Sequence, residues 1–332
     1  MMWSGVIFGT MAWMVPQILW LLGMLTGRCF GYRVPYAPFG WTALGLVLLV
    51  WLALAYGYFW GRFRVNVTEE EYVNRSLPAA FEGYRIVHVS DLHVDSFLGH
   101  EDKLQRVIST INAQHPDAIL FTGDLTTVSS EAARTFEAML ASLHARDGVF
   151  SVLGNHDFFI YDRHLRTDRQ RCAAADSLAG FEREVLGWTV LRNESVFLHR
   201  GGDSIAVAGV DNINGDQGFR TIQRGDLAKA TQGLDGIFTI LLSHDPSHWR
   251  AEVLPKSEVQ LTLSGHTHAA QVRIFGYSPS RLLFGECDGR YEAQTAPTQP
   301  SRMLYVNAGI GCTAPFRIGC PSEVTVIRLR KG

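Results

Sequence analysis

Charged residues are missing from two long stretches at the start of this 332-residue chain. Residues 1–27 and residues 34–61 contain no Asp, Glu, Lys, Arg or His. Each stretch is longer than the roughly 20 apolar residues that cross the hydrocarbon core of a bilayer. Tryptophan and tyrosine, which favour membrane–water interfaces, are frequent in both. We therefore predict two transmembrane helices, over about residues 3–25 and 41–60.

The first apolar stretch has a second interpretation, because Pro16 and Gln17 interrupt it. It could be a signal peptide or a kinked segment at the membrane surface. A signal peptide has a basic first region and a small-residue cleavage site. Residues 1–4 carry no basic side chain, the apolar run is too long, and a twin-arginine pair is absent. A helical hairpin in the membrane is therefore favoured.

Cysteine is scarce, and its pattern excludes two classes of small scaffold. The chain has five cysteines and no C-x-x-C pair, which argues against a disulfide framework or a structural zinc site. This usage favours the reducing cytoplasm for the region after the hairpin. Cys312 and Cys320 could pair in an oxidising compartment, but two separate buried thiols are favoured. Arginines flank the second predicted helix on both sides, so the positive-inside rule leaves the orientation open.

The start of the chain and the remainder differ in the sign of their charged residues. The first 64 residues hold four Arg and no acid, which leaves 26 basic and 32 acidic residues in the remainder. A region with an acidic excess is a poor candidate for nonspecific nucleic-acid binding, so no nucleic-acid partner is expected. We predict a membrane anchor over residues 1–64, a linker over 65–83 and a globular domain over 84–332.

Short apolar runs in the globular region predict strands buried on both faces. They cover residues 85–89, 118–121, 149–153, 237–242 and 259–263. Helical spacing of apolar residues over 101–114 and 131–144 separates the early strands. This alternation predicts an α/β fold with functional side chains at the carboxyl ends of strands. Later runs, over 204–210 and 323–329, suggest a second sheet facing the first.

Five short motifs follow these predicted strands. They supply three carboxylates, one amide and five imidazoles, which is the ligand set for two adjacent divalent metals plus one spare histidine. Such a site can hydrolyse a phosphate ester. The motifs are Asp91-Leu92-His93, Gly123-Asp124, Gly154-Asn155-His156-Asp157, Ser243-His244 and Gly265-His266-Thr267-His268.

The ordered set resembles the calcineurin-like metallophosphoesterase superfamily, whose pattern is D-x-H, G-D, G-N-H-D/E, H and G-H-x-H. The resemblance covers about residues 84–330. The tail, with Asn307-Ala308-Gly309-Ile310-Gly311 and Pro315-Phe316-Arg317, is similar to the membrane-anchored bacterial branch. The resemblance implies a four-layer αββα sandwich and two metal ions. The expected location is then the bacterial inner membrane, as a multi-pass protein with a cytoplasmic catalytic domain.

The resemblance also implies roles for individual residues. One metal would be held by Asp91, His93 and His268, and the other by Asn155, His244 and His266. Asp124 would bridge both metals, for which Mn²⁺ is the first expectation and Fe, Zn²⁺ or Mg²⁺ are alternatives.

His156 and Asp157 are the expected catalytic residues. His156 would donate to the leaving oxygen or to the phosphoryl oxygens, and Asp157 would orient its ring and keep a proton available. Hydrolysis would proceed by attack of a hydroxide that bridges the two metals.

The predicted function is a membrane-anchored binuclear phosphoesterase acting on a lipid-linked phosphate or pyrophosphate, with the bilayer as partner. A phosphodiesterase or phosphatase for soluble substrates is the alternative, and a non-catalytic scaffold of the same fold is a third interpretation. Three further features stay open at this stage. His248 could approach substrate, the aromatic run 158–161 could line an apolar groove, and the arginines between 163 and 171 could contact anionic headgroups.

Overall fold

The computed structural model describes residues 2–213, 221–294 and 301–332. The two apolar stretches form helices α1 (Met2–Phe30) and α2 (Ala37–Phe59). They pack against each other where Gly5 and Gly9 leave room for the Trp51 ring. Most of their other apolar side chains are exposed. Both helices are long and apolar enough to cross a membrane, which suggests membrane association.

The first sheet carries the early strands. Its spatial order is β1 (Val65–Asn74), β12 (Ser322–Lys331), β2 (Arg85–Val89), β3 (Ala118–Phe121), β4 (Val149–Ser151) and β5 (Thr189–Val190). Strands β2 to β5 are parallel, and β12 runs antiparallel to β2 and parallel to β1. The carboxyl ends of β2, β3 and β4 therefore meet at one edge.

The second sheet faces the first. Its spatial order is β10 (Gly289–Ala293), β11 (Arg302–Val306), β9 (Leu261–Ser264), β8 (Thr239–Leu242), β7 (Asp203–Gly209) and β6 (Glu194–Arg200). The central strands β11, β9, β8 and β7 are parallel, and β10 and β6 pair antiparallel at the edges.

Helices cover the outer faces of both sheets. The first sheet packs against α3 (Glu101–Asn112), α4 (Glu131–Thr135), α5 (Glu137–Ala141) and α6 (Asp168–Glu184). The second is covered by α7 (Leu227–Ala230), α8 (Leu254–Lys256) and the turn around Trp249. Ile86, Leu120 and Phe150 of the first sheet meet Ile240 and Leu263 of the second in a shared core. These layers confirm the predicted αββα sandwich.

Residues 65–74 correct the predicted linker. They form β1, an edge strand in register with β12 over its whole length. The acidic run Glu69-Glu70-Glu71 suggested a solvated linker, but an edge strand tolerates charge because one side faces water. Glu71 pairs there with Arg330 at 2.9 Å. Charged residues that suit an edge strand therefore interrupt the apolar alternation by which this strand could have been predicted.

Two other predictions need revision. The run 323–329 was expected in the second sheet, but it lies in β12 of the first sheet, where Thr325 to Arg328 pair with β2. Alternation alone does not specify which sheet a strand joins. The helix predicted over 131–144 is divided into α4 and α5, because Phe136 leaves helical geometry at φ −101° and ψ 16° and buries its ring in the core.

Candidate active site

The motif side chains converge at the carboxyl ends of β2, β3, β8 and β9 and just beyond β4. The turns that carry them are unusual in their backbone. Five motif residues that are not glycine have positive φ, namely Asp91, His93, Asp124, His266 and His268. Left-handed backbone at such residues is sparsely populated and clusters at functional sites. The strands thus end in strained turns that direct the side chains inward.

Two motif glycines are required by close packing. A Cβ atom at Gly265 would lie 2.2 Å from Asp91 Oδ2, and one at Gly154 would lie 2.2 Å from Asp124 Oδ1. Any larger residue would displace a carboxylate of the site. Gly154 and Gly265 therefore allow the backbone to pack directly against the carboxylates of Asp124 and Asp91.

The first group of ligand atoms comprises Asp91, His93 and His268. His268 Nε2 lies 3.2 Å from Asp91 Oδ1 and 3.1 Å from His93 Nε2, and all three side chains are buried. Asp91 Oδ1 has no hydrogen-bond partner within the described residues. An orphaned buried carboxylate oxygen facing two imidazole nitrogens is the donor set that a divalent cation completes.

The second group comprises Asn155, His244 and His266. Asn155 Oδ1 lies 3.1 Å from His244 Nε2 and 2.8 Å from His266 Nδ1. Asp124 stands between the groups, because its Oδ2 is 3.2 Å from His244 Nε2 and 3.6 Å from His93 Nε2. All seven predicted ligands therefore converge, and the amide oxygen points at the imidazoles. The arrangement suggests a dimetal site.

Backbone carbonyls fix two of the imidazoles. His93 Nδ1 donates to Thr126 O at 3.2 Å, and His244 Nδ1 donates to Thr122 O at 2.7 Å. With the proton on Nδ1, each neutral ring presents the Nε2 lone pair to the site.

Burial and the mutual contacts of carboxylates and imidazoles shift the pKa values of the cluster. Burial would raise the pKa of Asp91, but His268, His244 and His93 outweigh it and hold that pKa well below its usual range. Burial lowers the pKa of His93 to about 3. Burial also disfavours charged His244, yet the Asp124 carboxylate outweighs it and raises the pKa to about 10. In the metal-free chain His244 thus supplies charge that a bound cation would replace.

His156 reaches the same site by a route that the sequence did not indicate. Its backbone N–H donates to Asp124 Oδ1 at 2.8 Å, and its Nδ1 contacts Thr127 O at 2.9 Å. This leaves Nε2 for a substrate. The ring also borders Tyr161, with centroids 4.8 Å apart.

Asp157 does not orient His156, which corrects the predicted role. Its buried carboxylate accepts from the backbone N–H groups of Gly154, Asp124, Leu125 and Thr126. It therefore ties together the turns after β3 and β4. Burial, reinforced by Asp124, raises the pKa of Asp157 to about 7. Adjacent side chains diverge in this turn, so the His156 ring meets the Thr127 carbonyl instead.

A cavity of about 550 Å³ opens beside the second group. Asn155, His156, His266 and His268 line its floor, and apolar walls come from Val128, Ile160, Tyr161 and Phe284. Residues 160 and 161 thus line the cavity, whereas Phe158 and Phe159 are buried in the core. A ligand larger than a phosphate ion fits this space.

Other histidines and arginines singled out earlier lie elsewhere. His248 is buried and contacts Ser243 Oγ at 2.8 Å, away from the cavity. His88, in β2, is also buried and contacts Thr122 Oγ1 at 3.0 Å. The arginines between 163 and 171 surround the start of α6, where Arg171 pairs with Asp168 at 3.0 Å. Cys312 and Cys320 are separate buried thiols.

Two residues that contact the site were given no role in it by the sequence analysis. Arg317 is completely buried, its guanidinium donates to the carbonyls of Ala308, Gly309 and Gly311, and one of its nitrogens lies 3.4 Å from His268 Nδ1. Asp245 Oδ2 lies 3.8 Å from His266 Nε2. A lone arginine in the apolar, glycine-rich tail was the available signal for Arg317. No signal in the sequence identified Asp245, although it directly follows the motif residue His244.

Comparison with known proteins gives consistent results. The signature of "Calcineurin-like phosphoesterase" matches residues 84–270. An uncharacterised metallophosphoesterase of Bacillus subtilis, YkuE, is 31% identical over 284 residues, covering 82% of this chain and 90% of the relative. A zebrafish (Danio rerio) "transmembrane protein with metallophosphoesterase domain" is 30% identical, covering 90% of this chain and 64% of the relative.

A third relative carries a specific name. The "UDP-2,3-diacylglucosamine pyrophosphatase LpxG" of Chlamydia trachomatis is 28% identical over 304 residues, covering 79% of this chain and 89% of the relative. Since the signature spans more than half of the chain and contains all five motifs, this protein belongs to the calcineurin-like phosphoesterases and is a metal-dependent phosphoric ester hydrolase.

Proposed function

We propose that this hydrolase is a membrane-anchored enzyme that uses two divalent metal ions, with Mn²⁺ preferred, to cleave a phosphate ester or pyrophosphate in a lipid-linked substrate. The observation that carries the proposal is the position of Asp124 between two groups of ligand atoms. One carboxylate shared by two clusters is the arrangement that holds two cations side by side.

The ligand roles follow from the two groups. In this proposal Asp91, His93 and His268 bind one cation, Asn155, His244 and His266 bind the other, and Asp124 contacts both. When bound, the two cations supply Lewis-acid charge at the phosphoryl group and activate the attacking water.

His156 has the proton-donating role in this proposal. Thr127 O holds Nδ1 and the ring lines the cavity, so Nε2 is the atom that meets the substrate. A donor at that atom stabilises a phosphoryl oxygen or protonates the leaving oxygen as its bond to phosphorus breaks. Asp157 acts as a positioning residue through the backbone of the Gly123-Asp124 and Gly154-Asn155 turns.

Three observations support a lipid-linked substrate. The helices α1 and α2 are long and apolar enough to tie the site to a bilayer, which would raise its effective concentration toward lipids. The apolar cavity walls suit acyl or isoprenoid chains beside the polar floor. A relative is named for a diacylated substrate. In this proposal residues 1–64 are the anchor in a bacterial inner membrane, and the cytoplasmic catalytic region begins at β1 rather than at residue 84.

The test is a screen of mono-, di- and pyrophosphate esters, with and without acyl chains, on the metal-reconstituted full chain. We expect the highest kcat/KM for an acylated pyrophosphate or ester with Mn²⁺, and no turnover by Asp124→Asn. Preference for soluble diesters would support a general phosphodiesterase instead. Less than one metal per chain after reconstitution would indicate a non-catalytic scaffold.

A further inference from the structure

A short segment near the cavity exposes an unusual amount of apolar surface. We call residues 274–283 the apolar loop. Scattered apolar residues on a protein surface need no explanation, but a contiguous patch marks an interaction site. Its exposed side chains are Phe275, which is fully exposed, Leu282 at 84%, Leu283 at 72%, and Ile274 and Tyr277 at 58% each.

The tip of the apolar loop is a tight turn that holds Phe275 outward. Ile274 and Tyr277 exchange backbone hydrogen bonds of 2.9 and 3.0 Å around two residues with positive φ. Such a turn favours Asn or Gly at its first position, and Phe275 at φ 51° is an outlier there. A bulky aromatic ring at a strained, solvent-facing position indicates a role for the ring itself.

The apolar loop is connected directly to the end of α2. Arg317 N donates to Gly57 O of α2, and a Cβ at Gly57 would lie 2.9 Å from the Ile318 side chain. Ile318 O then accepts from Arg273 N at 2.8 Å, one residue before the apolar loop begins. Two backbone hydrogen bonds, through Arg317 and Ile318, therefore link the base of the loop to the end of α2.

Charge at the base of the apolar loop is positive. Arg273 and Arg281 both bind Asp288, at 2.9 and 3.3 Å, so two guanidinium groups share one carboxylate. The Arg281 guanidinium also lies over the Tyr277 ring. Apolar side chains beyond a cationic base match the profile of an anionic bilayer surface.

The apolar surface continues into the active-site cavity. Phe284 follows Leu283 directly, lines the cavity, and places its ring 6.2 Å from the His266 ring. A lipid that leaves the bilayer along this surface would reach the second group of ligands without crossing water.

We propose that the apolar loop inserts into the headgroup–acyl boundary of the bilayer that holds α2, and so turns the cavity mouth toward the membrane surface. The inference rests on the membrane anchoring in the proposed function. The occupant is the lipid bilayer, because the base of the loop is linked by Arg317 and Ile318 to the end of the apolar helix α2 and is flanked by cationic side chains.

Insertion is tested with a fluorescent probe on the full chain in vesicles. Phe275→Cys is made with Cys29→Ser and Cys172→Ser, since the other three cysteines are buried. It is labelled with an environment-sensitive nitrobenzoxadiazole in vesicles of phosphatidylcholine and phosphatidylglycerol. Phe197→Cys in the same background is the control, because Phe197 is 44% exposed on the edge strand β6.

Lipids with nitroxide groups on their acyl chains should quench the probe at 275 roughly threefold more than the probe at 197, since insertion depths are about 5–10 Å. Equal quenching at both positions would overturn the proposal, whatever the enzyme hydrolyses. Shielding from the nitroxide lipids, together with crosslinking of two unlabelled Phe275→Cys chains through the introduced thiol, would also overturn it, in favour of a second copy as partner.

Activity separates this inference from the proposed function. Phe275→Ser combined with Leu282→Ser should raise KM for a lipid-linked ester in vesicles about tenfold and leave turnover of a soluble diester unchanged. Quenching at 275 without hydrolysis of any lipid ester would support the insertion and contradict the lipid-linked substrate. An equal loss of both activities would contradict the insertion.

Discussion

The two groups of ligands differ in their access to solvent. In the first group Asp91 and His93 are fully buried, and only His268, which rests against the buried guanidinium of Arg317, reaches the cavity. In the second group the His266 side chain is 22% exposed, and Asn155 and His266 line the cavity. In the proposed function this difference would let the first group anchor one cation while the second presents the other to the substrate.

Removing the shared carboxylate should break both groups at once. Asp124→Asn keeps the shape of the side chain but removes the charge between His93 and His244. We expect turnover to fall by more than about 10³-fold, because charge at the reacting centre is lost together with metal affinity. Steady-state kinetics and metal analysis of the same preparation check this. Full metal content with wild-type turnover would show that the groups do not depend on Asp124.

Removing His156 should leave both groups intact. His156→Gln is expected to lower kcat by roughly 10²–10⁴-fold, the usual contribution of a positioned proton donor. Because His156 is outside the proposed ligand set, the metal content should stay equal to that of the wild type. A variant that loses metal would identify His156 as a ligand, which its Asp124 contact makes a real alternative.

Arg317 should matter mainly for the buried group. Arg317→Met leaves the carbonyls of Ala308, Gly309 and Gly311 without their donor, which loosens the turn behind His268. We expect metal affinity to fall about 10–100-fold, as for other residues that hold a ligand in place. Titration with a fluorescent chelator measures it, and Arg317→Lys should recover part of the loss. Equal affinity in all three proteins would limit Arg317 to a structural role.

Chelation should separate the groups kinetically. Because two ligands of the second group line the cavity and one ligand of the first group does, a chelator should remove the cation of the second group first, and metal release should have two phases about tenfold or more apart in rate. His266→Ala should lack the fast phase. A single phase in the wild type would remove the contrast between the groups.

A buried acid outside both groups provides a smaller effect. Burial, with a contribution from Asp157, raises the pKa of Glu182 from 4.5 to about 8. Its stabilising contribution is therefore fully present below about pH 4.5 and is lost as the pH rises through 8. The melting temperature of the wild type should therefore fall between pH 5 and pH 9. Glu182→Gln should make this fall smaller, by the temperature equivalent of a few kcal/mol or less in the free energy of unfolding. A difference between the two proteins that stays constant with pH would contradict the shift.

The sequence specified the ligand residues because each motif directly follows a strand or turn whose apolar run is easy to recognise. Strand ends at one edge of a parallel sheet must meet, so the convergence of Asp91 and Asp124 was predictable. The orientation of side chains was not, because it depends on positive φ at Asp91, His93 and Asp124. The pairing of His156 with Thr127 O joins two turns that are distant in sequence, and motif spacing does not encode it.

For the N-terminal hairpin, composition predicted the elements themselves but not their contacts with the rest of the chain. Composition predicted both helices of the hairpin, since bilayer thickness dictates the length of an apolar helix. The contact between Gly57 and Arg317, which links the anchor to the turn behind His268, depends on tertiary packing alone.

The position of β12 has a consequence for how the chain is made. It lies between β1 and β2, and its Arg330 binds Glu71, which precedes it by 259 residues. If the hairpin is a membrane anchor, as proposed, a ribosome delivers it to the lipid phase long before the strand that joins β1 to β2 has been translated. The segment from 65 onward then has an unfinished sheet, and the proposed metal ligands gain their final supports only when residues 322–331 have been made.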